Sequence, residues 1–265
     1  MAIPSGKIEY SLGENSVTGS GFSITTAELK VALAGPVSEI VFDTKGKTVV
    51  KELLEGLAET EFDKTQIEEI LLNSKTPENW RVGEAIAEAY LVEQYNCFFP
   101  WPDSRDERKT GSSLPGADLV GFQNIGKDDY FAFGEVKTSE EEAYPPSLVY
   151  GRTGLKKQLE DLKDNLQIKD DLIIYLCHRA VNSEWQFRFQ NAARKYIRNK
   201  NNVKIFGVLI RDVKPNEDDL KARIESLSRN RKPEMQIKLF ALYLPQNSIK
   251  TLGYNIMNNN SGGYE

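Results

Sequence analysis

From residue 117 to residue 244 the chain alternates between two textures. Apolar or aromatic runs at 117–123, 130–137, 172–177, 203–211 and 235–244 read as strands. The stretches between them, 153–166, 183–199 and 216–228, carry the apolar spacing of helices. Strands alternating with helices predict an α/β fold with a mixed central sheet flanked by helices. Within the first helix Leu155, Leu159, Leu162 and Leu166 fall on one stripe. The run Leu172-Ile173-Ile174-Tyr175-Leu176-Cys177 reads as a buried strand. Asn124-Ile125-Gly126-Lys127-Asp128-Asp129 is rich in turn formers and joins 117–123 to 130–137 as a hairpin.

Upstream of the hairpin, Thr76-Pro77-Glu78 predicts a helix start, with Thr76 as cap, proline in the first turn and an acid at the positive end of the dipole. That helix, from about Pro77 to Tyr95, presents Val82, Ala85, Ile86, Ala89, Tyr90 and Val92. It is apolar nearly all round, the signature of a buried helix. Phe98-Phe99-Pro100-Trp101-Pro102 predicts a short extended segment, and residues 103–116 a charged loop. Further upstream, 47–59 and 62–73 read as acidic helices, and 1–45 is rich in Gly, Ser and Thr with short β-like runs. The chain thus divides into an acidic region at 1–75, a main α/β domain at 76–245 and a poorly committed tail at 246–265.

A hydrophobic content of 40% over 265 residues supports a sizeable core. Cys97 and Cys177 read as reduced, and no Cys/His spacing fits zinc. His178, the only histidine, reads as a structural residue ending the 172–177 strand. The start of the chain lacks a basic stretch followed by an apolar run, and no apolar stretch approaches the roughly 18–20 residues that span a bilayer. The expectation is a soluble, cytoplasmic protein with no membrane contact. Charge is uneven. Residues 1–150 hold 13 Lys and Arg against 26 Asp and Glu, and residues 151–265 hold 21 against 13. This polarity predicts a basic binding face from the C-terminal part.

The chemistry concentrates on the hairpin. Gly116-Ala117-Asp118 places an acid where the first strand opens. Gly134-Glu135-Val136-Lys137 closes the second, with Glu135 and Lys137 on one face of it. Phosphodiester hydrolysis uses a divalent cation to neutralise phosphate charge and to lower the pKa of an attacking water. Magnesium takes oxygen ligands and keeps several waters, so one or two carboxylates suffice. Asp118 and Glu135 supply them, Lys137 is placed to orient the water or stabilise developing charge, and Glu84 on the preceding helix is a third acid. A buried carboxylate is costly unless it is paired or bound to metal. Gln158 lies on the sheet-facing side of the helix that follows and wants partners there. Arg152, Lys156 and Lys157 at the start of that helix, and Arg194, Lys195 and Arg198 around Tyr196, suit phosphate contacts. Each group taken alone also fits an ordinary solvated surface.

Glu84, Asp118, Glu135 and Lys137, in the order helix, strand, strand, resemble the PD-(D/E)xK nuclease superfamily, whose core runs α-β-β-β-α-β. In this chain Pro115 stands three residues before the aspartate rather than beside it. The resemblance implies Asp118 and Glu135 as ligands of Mg²⁺ or Mn²⁺ together with the Val136 carbonyl, Lys137 as the catalytic lysine and Glu84 as a helix acid near the metal. More narrowly, Arg81-Val82-Gly83-Glu84-Ala85-Ile86-Ala87-Glu88-Ala89, Leu114-Pro115-Gly116-Ala117-Asp118 and Phe133-Gly134-Glu135-Val136-Lys137 are similar to the HamA family, the nuclease subunits of Hachiman antiphage defence systems. That likeness implies a DNA nuclease restrained by a superfamily 2 helicase, with the acidic 1–75 region as the helicase contact. A stand-alone restriction or repair endonuclease, and a non-catalytic DNA- or protein-binding module on a nuclease-like fold, remain alternatives.

Overall fold

A computed structural model describes residues 3–71, 75–106, 116–230 and 232–261. Its centre is one mixed sheet of seven strands, in the order β1-β2-β7-β6-β5-β4-β3. The strands are β1 (Lys7–Glu14), β2 (Val17–Ser23), β3 (Cys97–Phe98), β4 (Leu119–Ile125), β5 (Asp128–Ser139), β6 (Val203–Arg211) and β7 (Gln236–Tyr243). The β3-β4-β5 edge is antiparallel, β5-β6-β7-β2 is parallel, and β1 returns antiparallel to β2. Two strands therefore come from the first 23 residues, and β2 pairs with β7 over its whole length.

Side chains alternate across the sheet, so each face builds its own core. On one face Ala132, Val136, Phe206, Val208 and Phe240 pack under α1 (Thr26–Ala34), α2 (Pro36–Val41) and α5 (Asn79–Tyr95). On the other, Phe131, Phe133, Ile205 and Leu239 pack under α6 (Leu155–Asp164), α7 (Leu166–Ala180), α8 (Gln186–Arg198) and α9 (Lys221–Ser228). Between α2 and α5 stand α3 (Thr44–Glu55) and α4 (Glu61–Leu71). No residue of α3 is buried, and Val49, Leu53, Phe62 and Ile70 of this pair are exposed. Among the described residues no helix is long and apolar enough to cross a membrane.

Four expectations change. Residues 172–177 are not a strand but the middle of α7. Asn165 caps that helix by accepting from the Gln167 and Ile168 N–H groups, and Leu172, Leu176 and Ala180 are buried at helical spacing while Ile174 is exposed. His178 accordingly sits in the last turn of a helix. The helix after Thr76 begins at Asn79, with Glu78 in the cap position and no side-chain cap bond, so Thr76 does not cap it. Val92, placed on its apolar surface by sequence, is exposed, whereas Val82, Ala85, Ile86, Ala89 and Tyr90 are buried. The tail is committed: Leu252–Ser261 form α10, whose Leu252 and Ile256 are fully buried against the α5 face. Residues 107–115, with Pro115 and most of the charged loop, lie outside the described residues, as do residues 72–74 at the end of the second acidic helix.

Candidate active site

The site forms where β4 stops and β5 continues. The last ladder pair is Leu119 with Gly134, so Asp118 and Glu135 stand one step beyond it, side by side. Glu135 and Lys137 follow Phe131 and Phe133 on the α6 face of β5. Past the end of β4, the Val136 N–H has no strand to bond. It donates instead to Asp118 Oδ2 at 2.8 Å, which fixes the carboxylate beside β5. A strand residue's N–H and C=O point to the same side, so the Val136 carbonyl also opens toward Asp118.

Glu135 is fully buried. Its Oε1 accepts from Lys137 Nζ at 2.6 Å; its buried Oε2 has no donor facing it, and when protonated it bonds to Asp118. Burial first, and then the charge of Asp118, raise its pKa; Lys137 opposes them, and burial wins, holding it at about 9. The metal-free site is therefore short of positive charge. One orphaned carboxylate oxygen, a second carboxylate alongside and an adjacent carbonyl form an oxygen-only donor set that fits a hard divalent cation. Among the described residues no group of three or more His, Cys, Asp or Glu is placed to hold a metal, so the site rests on two acids rather than a larger cage.

Glu84 approaches from the opposite face. Gly83 is the reason α5 can come so close, since a Cβ there would collide with Thr138 Oγ1 on β5. Glu84 is mostly buried, lies 3.5 Å from Arg81 Nη1, and shares with Asp118 a small cleft also lined by Glu88, Ile40 and Ser104. The structure thus brings Asp118, Glu135 and Lys137 into direct contact, and Glu84 to the cleft beside Asp118. Arg81 was not singled out in the sequence, although its spacing of three from Glu84 on a helix was readable.

Gln158 is half-buried on α6. Its Oε1 is buried with no partner, and it lines a cavity of about 510 Å³ with Gly116, Ala117, Leu172 and Tyr175, next to Asp118. Arg152 and Lys157 are exposed and Lys156 half-buried at the start of α6, with Lys157 paired to Asp161. This is the site end of the sheet, because Leu159 packs on Gly207, which pairs with Glu135. Arg194, Lys195 and Arg198 are elsewhere. Lys195 reaches Asp128 at 2.8 Å, at the opposite end of β5. Glu135 is seven steps along the strand from Asp128, roughly 23 Å. The structure does not bring these three residues to the site.

No family model matches the chain, and no curated protein matches it.

Proposed function

We propose that the chain is a Mg²⁺- or Mn²⁺-dependent DNA nuclease on the PD-(D/E)xK plan. The observation that carries this reading is the buried Glu135 with an orphaned oxygen, next to Asp118 and bonded to Lys137. The element order is compatible with it: α5, β3, β4, β5 and α6 run as helix, three antiparallel strands and helix, and after two further helices, α7 and α8, comes β6, parallel to β5. In this reading Asp118, Glu135 and the Val136 carbonyl hold the cation. The cation, when bound, neutralises phosphate charge and acidifies a water. Lys137, beside Glu135, would be placed to donate to the attacking water or to the phosphate oxygen that gains charge. Asp118 is held in position by the Val136 N–H, so its orientation needs no substrate. Glu84, across the cleft, adds negative charge that favours cation entry. In this reading Arg152 and Lys156, just before and within the first turn of α6, contact the phosphates of the bound strand.

The role of an antiphage effector restrained by a superfamily 2 helicase is carried by the motif resemblance to the HamA family. A second reading is a non-catalytic binding module on this fold. Cleavage of plasmid and linear DNA with Mg²⁺ or Mn²⁺, by the wild type and by Glu135→Ala and Lys137→Ala, separates the two. Metal-dependent cleavage lost in both variants supports the nuclease. Absence of cleavage together with absence of divalent-cation binding supports the module.

A further inference from the structure

The α5 face of the sheet carries a feature the nuclease reading does not use. Lys204, the second residue of β6, is 4% exposed, the profile of an apolar core residue. It points to the α5 face, because it pairs with Ala132 and precedes Phe206 there. Its Nζ sits 4.4 Å from the centre of the Tyr130 ring. Lys238 of β7 lies on the same face, paired with Phe206, with its Nζ 5.5 Å from the centre of the Tyr95 ring. Lys238 is close enough that its charge, after burial, adds to the lowering of the Lys204 pKa. Lys195 completes the cluster, 5.3 Å from the centre of the Tyr130 ring.

The three lysines are not equivalent. Lys195 is neutralised by Asp128 and also bonded to Asn191. Among the described residues neither Lys204 nor Lys238 has a carboxylate within ion-pair distance or a hydrogen-bond acceptor, and their only close partners are aromatic faces. Burying a lysine stem in a sheet core with no acid to meet it is unfavourable unless something else supplies negative charge. The Tyr130 and Tyr95 rings supply a weak, fixed share. Tyr95 is also the last residue of α5, whose C-terminal dipole contributes a little more. Neither provides the oxygen acceptors that ammonium groups take. The amide of Gln123, also nearly buried on this face and paired with Tyr130, spends its Nε2 on the Tyr95 carbonyl, and its Oε1 has no partner.

We propose that Lys204 and Lys238 form an anion site that takes a phosphate group, with the Tyr130 and Tyr95 rings as its walls. Two ammonium groups present up to six N–H donors, which matches the acceptor-only oxygens of a phosphate. The site is on the opposite face of the sheet from Glu135, with Lys204 three ladder steps and Lys238 one step from the Glu135 row, and it needs no metal. The shared chemistry is the phosphate, whether free, on a nucleotide or in a nucleic-acid backbone.

The test is titration of the full chain in EDTA, which removes any metal-dependent phosphate binding at Asp118 and Glu135, with inorganic phosphate in one arm and a single-stranded DNA oligomer in the other. Calorimetry and ³¹P line widths report binding, and Glu135→Gln is titrated in parallel. The expected result is saturable binding in at least one arm, unchanged in Glu135→Gln and weakened about tenfold in each of Lys204→Met and Lys238→Met. Lys195→Met weakens it less, because Asp128 already neutralises that charge. Binding of DNA alone identifies a backbone contact, and binding of inorganic phosphate alone identifies a free phosphate or phosphomonoester ligand. Lys238 is only partly buried, so its variant reports even where Lys204→Met disturbs folding. No saturable binding in either arm, or binding unaltered in both lysine variants, overturns the proposal.

Discussion

Two points on the β5–β6 ladder, three steps apart and on opposite faces of the sheet, pose one problem with opposite signs. At the acidic end of this interval Glu135 is an acid buried with too little positive charge; at its basic end, nearer the start of β6, Lys204 is a base buried with too little negative charge. Burial drives both toward neutrality: the Glu135 carboxyl rises to about 9 and the Lys204 ammonium falls to about 8. The neighbours are also mirrored, a second carboxylate at the first end and a second lysine at the other. A sheet core tolerates a misfit charge where something from outside completes it, and the sign of the misfit states what that is. The acidic end calls for a cation and the basic end for an anion.

The largest expected effect lies at the acidic end. Glu135→Ala or Lys137→Ala lowers DNA cleavage on the order of a thousandfold or more while circular dichroism and melting show an intact fold. By contrast, Arg194→Ala and Arg198→Ala at the basic end leave kcat unchanged and alter at most affinity and its salt dependence, read from cleavage rates across salt concentrations. A fall in kcat in these exposed arginine variants would erase the distinction between the ends.

Stability against pH sharpens the contrast. The folded Glu135 holds its proton up to about 9, far above the ordinary value of 4.5, so the metal-free native state binds more protons than the unfolded chain between those limits. The metal-free protein therefore loses stability as pH rises through that window, by no more than about 1.4 kcal/mol per pH unit from this group. Glu135→Gln removes that component, as chemical denaturation across pH will show. Lys204 acts in reverse. Its folded value near 8 lies below the ordinary 10.5, so its penalty is present below about 8 and fades as pH rises toward 10.5. Lys204→Met abolishes this second slope. The smallest effect is at Gln158, whose Oε1 already lacks a partner. Gln158→Leu changes metal-free stability by about 1 kcal/mol or less, and a greater loss by thermal melting would mean that the amide is bonded.

The sequence exposed the acidic end far better than the basic one. Asp118, Glu135 and Lys137 are local: a strand opening and an alternation of two place them, and the hairpin register brings them together. The β6 strand was read with its observed limits because every residue in it is buried. That same completeness hid Lys204, whose environment depends on Tyr130 and Lys238 from other strands. Seven steps of strand separate Lys195 from the site, and no local pattern reports which end of a strand a later helix will cross. The 172–177 run misled because its Ile-Ile-Tyr texture imitates a strand. The deciding signals were the Asn165 cap and the spacing of Leu172, Leu176 and Ala180, which show only over a longer window. In the tail, asparagines masked the Leu252 and Ile256 pair that docks α10.

The central claim is that the charge deficit around Glu135 is a divalent-cation site. Titration of Mn²⁺ into the full chain, followed by electron paramagnetic resonance, tests it without relying on cleavage. The account predicts a saturable site in the wild type that disappears in Glu135→Gln and in Asp118→Asn and persists in Lys204→Met. A wild type that binds no Mn²⁺, or Glu135→Gln and Asp118→Asn variants that bind it as the wild type does, would contradict it.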